Sequence, residues 1–230
     1  HIHSKETNTN THQNQETQNP MEHITRPMLA AKMELASLQF PYLVSRKIDG
    51  IRCLSTPDGL VSRTFKRIPN QHLQTVMEDC SKHCLDGELY IPESTFNETQ
   101  SVVMSTLKHS DCRYYVFDTY DKPEEPFADR TSRAQDIVNG LDNWYVDYVP
   151  HTLIHSLAAL QKYEQRAIES GEEGIMLRSP FGRYKSGRST TNENGLLKMK
   201  RFEDDEAIVV DMKPLLLNEN EQTIDHLGQS

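Results

Sequence analysis

Cysteine is scarce and scattered in this chain. The four thiols, Cys53, Cys80, Cys84 and Cys112, fall at irregular intervals without a C-x-x-C pair. That pattern argues against a disulfide framework or a zinc site and favours a reducing compartment, cytoplasmic or nuclear. No stretch approaches the roughly 20 apolar residues that a membrane-spanning helix needs, and 26 % of the residues are charged, so no membrane partner is expected. No charged-then-apolar segment precedes a small-residue cleavage site, and no secretory leader is expected. Internal repeats are missing, which excludes a solenoid. A basic excess is missing too: 25 Lys and Arg face 34 Asp and Glu, a formal net charge of −9. A passive, uniformly basic nucleic-acid binder is thereby excluded, although a local field can outweigh the total. The basic residues do crowd one stretch, Arg178, Arg183, Lys185, Arg188, Lys198, Lys200 and Arg201, which reads equally as a solvated surface.

What is present fits one medium domain, with 230 residues and 36 % hydrophobic content. Residues 1–20 are rich in Asn, Gln, Thr and His with no apolar periodicity, and are expected to be disordered. Met21 opens the first foldable stretch. PYLVSRKIDGIRCLS reads as two short strands either side of Asp49-Gly50, as in a hairpin, and GLVSRTF as a third. QHLQTVMEDCSKHC, TSRAQDIVNGL and SLAALQKYEQRAIESG have helical spacing, the last with Gly171 as its C-cap. LDGELYI, CRYYVFDTY, EGIMLRS, GLLKMKRF and EAIVVDMKPLL have the length and composition of strands. Strands in pairs with helices inserted irregularly imply an α+β, antiparallel-sheet architecture.

Several polar residues sit where chemistry could use them. In KIDGIR, Lys47 is a candidate nucleophile, since an amine attacks phosphorus only when its pKa is depressed by burial or nearby cations. Gly50 allows close backbone approach to a phosphate, and Arg52 offers a planar fork for phosphate or sugar oxygens. Glu88 follows an expected Asp-Gly turn in LDGELY, Phe117 lies within an apolar run, and Glu173 precedes a strand. Lys198 and Lys200 stand two apart, on one face of a strand with Met199 on the other. Their mutual repulsion calls for an anion between them. Taken singly, each is ordinary: a turn, a surface carboxylate, a core aromatic, a loop charge.

In this order they resemble the motifs of the covalent nucleotidyltransferases, the superfamily of polynucleotide ligases and mRNA capping enzymes. Lys47-x-Asp49-Gly50-x-Arg52, Asp86-Gly87-Glu88, Tyr115-Val116-Phe117-Asp118, Glu173-Gly174 and Lys198-Met199-Lys200 carry the resemblance. RPMLAA, VSRTFK, FNETQSVVM and GRYKSGRST extend it toward the small ATP-dependent DNA ligases of large DNA viruses and phages.

The resemblance implies an ATP-grasp-like adenylation domain over residues 21–203, with residues 204–230 as the start of an oligonucleotide-binding barrel. It implies ATP and Mg²⁺ as cofactors, nicked duplex DNA as partner, and a monomer. Lys47 would carry AMP, with Asp49, Glu173, Lys198 and Lys200 as the other catalytic residues. Arg52, Arg63, Glu88 and Phe117 would join Lys47, Glu173 and the two lysines around the nucleotide. Arg52, Arg63 and Arg188 would meet nucleic acid, and Glu88 and Glu173 would hold metal. With only the start of the barrel, the chain alone is expected to be weak in the first step. The alternatives are an RNA ligase of the same superfamily and a truncated, non-catalytic module that binds DNA ends. Arg52 leans toward DNA. Glu173 argues against a capping guanylyltransferase, and the short segment before Lys47 against a nicotinamide-dinucleotide-dependent ligase.

Overall fold

The computed structural model describes residues 24–200. The expected disorder of residues 1–20, the strand in EAIVVDMKPLL and the beginning of a barrel over 204–230 lie outside the described residues. Within them, two five-stranded sheets face each other, and the chain passes between them at the segment that holds Lys47.

The first sheet is built from β4 (Ile51–Thr56), β5 (Gly59–Ser62), β6 (Leu85–Tyr90), β7 (Arg113–Thr119) and β8 (Val146–Tyr148), in the order β5-β4-β6-β7-β8. The second contains β2 (Ala31–Lys32), β3 (Tyr42–Arg46), β9 (Thr152–Ile154), β10 (Gly174–Arg178) and β12 (Leu196–Lys200), in the order β2-β12-β10-β3-β9. A short parallel ribbon joins β1 (Met28–Leu29) to β11 (Gly187–Arg188). Most pairings are antiparallel, as expected, with parallel exceptions at β7–β8 and β2–β12.

Alternation along the strands divides the apolar residues into three layers. Cys53, Leu85, Leu89, Tyr114 and Val116 form a core on the outer face of the first sheet. There, α1 (Gln71–Val76) contributes Leu73, α2 (Phe96–Val103) contributes Val103, and α3 (Phe127–Leu141) contributes Ala134 and Val138. Val44, Ile175, Leu177 and Leu197 form the outer layer of the second sheet, covered by Leu160 and Ala167 of α4 (Leu157–Glu169). Met28, Leu54, Tyr120, Tyr184 and Leu196 fill the space between the sheets. The four cysteines are buried and free, so they serve as packing.

Helix ends follow their capping chemistry. Asn70 and Ser156 accept from backbone N–H groups at the starts of α1 and α4, and Thr95 and Glu98 form a reciprocal capping box on α2. Gly171, at φ +76°, turns the chain just beyond the end of α4, as its position predicts.

Two local expectations are corrected. The strands flanking Asp49-Gly50 are not a hairpin: β3 and β4 belong to different sheets, and residues 47–50 are the crossing. Asp86 and Gly87 lie inside β6 and make no turn. Gly50 is required by packing against the neighbouring strand, because a Cβ there would stand 2.3 Å from the carbonyl oxygen of Leu89. A backbone carbonyl cannot swing aside, so Gly50→Ala is expected to destabilise the fold by about 3 kcal/mol, read as a lowered urea midpoint with unchanged slope.

Candidate active site

β3 ends at Arg46, and Lys47 leaves the second sheet with its backbone N–H donating to the carbonyl of Gly174 at 2.9 Å. This bond ties the crossing segment to the start of β10. The neighbouring Glu173 carboxylate bridges two cations: one oxygen accepts from Lys47 Nζ and the other from Lys200 Nζ. This carboxylate joins Lys47 to Lys200 and leaves Lys198 apart, so it is not an anion between the paired lysines Lys198 and Lys200. Burial pulls the Lys47 amine below its usual pKa, against the opposing fields of Asp49 and Glu88.

Beside Lys47 lies a cavity of about 230 Å³ lined by residues from both sheets. Cross-strand register builds one wall: Met176 of β10 stands opposite Ser45 of β3 and Lys198 of β12, a row across three strands. Arg52, Arg63, Glu88 and Phe117 supply the facing wall. Neither Arg63 nor Lys198 has an ion-pair partner among the described residues.

Arg52 and Glu88 are direct cross-strand partners on β4 and β6. The Arg52 fork is largely occupied: Nε donates to Asp86 Oδ1 at 2.6 Å, and Nη2 to Asp86 Oδ2 at 2.7 Å and to the Met28 carbonyl at 3.1 Å. The Tyr184 hydroxyl donates to the same Asp86 oxygen at 2.6 Å. Burial alone would weaken the charge on Arg52, but Asp86 more than restores it. Glu88 accepts no hydrogen bond from the described residues. Burial pushes its carboxyl up to about 7, against the pull of Arg52 and Lys47.

A β-bulge explains the orientation of Phe117. β6 and β7 pair Gly87 with Val116 and Asp86 with Asp118, which leaves Phe117 as the extra residue. The bulge turns Phe117 into the cavity and sets Asp118 beneath it. Arg52 and Arg178 place their guanidinium carbons 4.8 and 4.9 Å from the centre of its ring.

Asp118 is fully buried and paired twice. Arg130 of α3 donates from Nε to Oδ1 at 2.9 Å and from Nη2 to Oδ2 at 3.1 Å, and Arg178 Nη1 donates to Oδ2 at 2.9 Å.

The cavity thus brings together Lys47, Arg52, Arg63, Glu88, Phe117 and Lys198. Asp49 and Glu173 line an adjoining open cleft of about 710 Å³ that shares Arg46 and Lys47 with it, and Lys200 reaches the site through Glu173. Arg188 lies outside both linings; its Nη1 donates to the carbonyl of Ala30, a residue of the cavity wall, at 2.8 Å. Sequence reasoning missed Asp86, Asp118, Tyr184 and Arg178 as parts of the site. Asp86 and Asp118 stand within the quoted motifs, but a carboxylate in a strand gives no sign of its partner. Arg178 reads as one of a run of surface cations, and it is buried.

No group of three or more His, Cys, Asp or Glu side chains suited to a metal ion occurs among the described residues. The arrangement instead offers separate carboxylates, as suits a cation that takes most of its ligands from a bound phosphate and water. No helix among these residues is long and apolar enough to cross a membrane.

Comparison with known proteins agrees with this geometry. The "ATP dependent DNA ligase domain" family model matches residues 27–200. The DNA ligase of African swine fever virus (strain Badajoz 1971 Vero-adapted) is 25 % identical over 183 residues, covering 74 % of this chain and 44 % of the viral protein. The chain therefore spans less than half the length of that relative. Among solved structures, Chlorella virus DNA ligase-adenylate is similar at 36 % identity and a TM-score of 0.71, covering 88 % of this chain and 77 % of that one. A Lig E DNA ligase is similar at 27 % identity and a TM-score of 0.68, covering 78 % and 70 %. By the extent of these matches, the chain belongs to the ATP-dependent DNA ligase domain family.

Proposed function

We propose that this chain is the adenylation domain of an ATP-dependent DNA ligase and that Lys47 is its covalent nucleotide carrier. The carrying observation is a partly buried amine, clamped by Glu173, at the edge of a cavity walled by Glu88, Phe117, Arg63 and Lys198. In the first step the Lys47 amine attacks the α-phosphorus of ATP. An N–P bond forms, the P–O bond to pyrophosphate breaks, and pyrophosphate leaves with the electron pair. The proton that Nζ must lose already lies against the Glu173 carboxylate. Lys198, from the cavity wall, and Lys200, once released from Glu173, would stabilise the negative charge that grows on the α-phosphate.

Phe117 supplies an apolar plate for the nucleoside, and Glu88 faces its sugar. Glu88 and Glu173 would hold Mg²⁺, which supplies charge neutralisation on the phosphates. Asp49, on the open cleft, and the exposed Arg63 and Arg188 lie where reacting polynucleotide ends would arrive. AMP would then pass from Lys47 to a 5′-phosphate, and attack by a 3′-hydroxyl would release it and seal the nick.

The test is incubation with α-labelled ATP followed by denaturing electrophoresis. A labelled protein band that requires Mg²⁺ and is lost on chelation is expected. A protein that stays unlabelled with ATP, and also fails to seal nicked DNA already carrying 5′-AMP, would refute the reading.

A further inference from the structure

The nucleotide cavity has an end that the proposed chemistry does not use. Along β10, even-numbered positions face the space between the sheets while Ile175 and Leu177 enter the core under α4. Gly174 receives the Lys47 N–H, and Met176 and Arg178 line the cavity. Four residues of strand separate the Gly174 end from Arg178, roughly 13 Å at the usual rise. With the phosphates held at Lys47, Lys198 and Lys200, the far end is the place for the base.

Arg178 is built into that end with little freedom. Its guanidinium carbon lies 4.9 Å from the ring centre of Phe117 and 4.8 Å from that of Phe127. Nη1 is fixed on Asp118, which Arg130 holds from the other side. Nε and Nη2 donate no hydrogen bond among the described residues. A guanidinium has donors and no acceptor. Unused donors on Nε and Nη2, at the base end of a nucleotide cavity that Arg178 lines, therefore call for a ring acceptor.

Resting on the ligase reading above, we propose that Arg178 is a specificity-determining residue that donates to a ring nitrogen of adenine, with Asp118 as the positioning residue that aims it. Phe117 flanks the base, and Arg178 reads its edge.

The test compares ATP with its 1-deaza, 3-deaza and 7-deaza forms, each replacing one acceptor nitrogen by C–H. The readout is the labelling of Lys47 in the wild-type chain, Arg178→Gln and Arg178→Lys. The wild-type chain should use one of the three analogues about tenfold less efficiently than ATP, the loss of one buried hydrogen bond. In both variants that penalty should shrink to within about twofold, and the effect on ATP should fall on KM rather than kcat. Thermal unfolding shows whether each variant is folded; Arg178→Lys keeps a cation for Asp118 while removing the planar fork. Equal use of all four nucleotides by the wild type, or an unchanged analogue penalty in the folded variants, would overturn the proposal. Failure of the ligase reading shows differently, as no label from ATP itself. In that case binding of the same four nucleotides, followed by calorimetry, decides the base contact by the same criterion.

Discussion

Alanine at position 47 is expected to abolish nucleotide labelling, lowering it more than about a thousandfold as loss of a covalent nucleophile does. The measurement is band intensity after incubation with α-labelled ATP, normalised to folded protein. Lys47 has two jobs, and one substitution removes both: it is the amine at the cavity and one of two cations on the Glu173 carboxylate. Lys47→Arg separates them. A guanidinium keeps a positive charge for Glu173, but it stays protonated and offers phosphorus no lone pair. The arginine variant should therefore unfold close to the wild-type temperature and remain unlabelled. A labelled Lys47→Arg protein would place the acceptor on another residue and overturn the assignment.

The pairing also bears on how the first step begins. While Glu173 spans Lys47 and Lys200, the ammonium form of Lys47 is favoured by contact with a carboxylate and disfavoured by burial. Triphosphate drawing Lys200 away from Glu173 would leave that carboxylate free to take the Lys47 proton. The row of Lys198, Met176 and Ser45 lies on the same side, so the phosphates have a second cation ready before the first is released.

Much of this was legible in the sequence because strands impose a period of two. Lys198 and Lys200 on one face of β12, Lys47 at the end of an apolar strand, and Gly171 closing α4 follow from local chemistry. Other features depend on distant partners. The bulge that turns Phe117 inward is a mismatch between β6 and β7, and neither strand records it alone. The short strands β1, β2 and β11 have only two residues each and exist through their pairings. The segment α2 forms, FNETQSVV, carries a Thr95–Glu98 capping box that spacing could have found. Arg178 was legible as a cation but its burial was not, since that depends on Asp118 sixty positions earlier.

Asp118 is where the fold and the site meet, and its removal should be the most damaging single change to stability. Arg130 and Arg178 are both almost wholly buried and both give hydrogen bonds to this one carboxylate. Arg130 retains the carbonyls of Glu125 and Gly182 as neutral acceptors. Arg178 has no other acceptor among the described residues. Asp118→Ala therefore leaves two buried guanidinium groups without a counter-charge, a change that costs about 3–5 kcal/mol. For a domain of this size each kcal/mol moves the unfolding temperature by about 2–4 °C, so a fall of roughly 6–20 °C is expected in a thermal scan. The double variant Asp118→Ala with Arg178→Met should recover part of that loss, because the second change removes one of the stranded charges. A single variant within about 2 °C of wild type, or a double variant less stable than the single, would show that the buried pairs do not govern stability as their geometry implies.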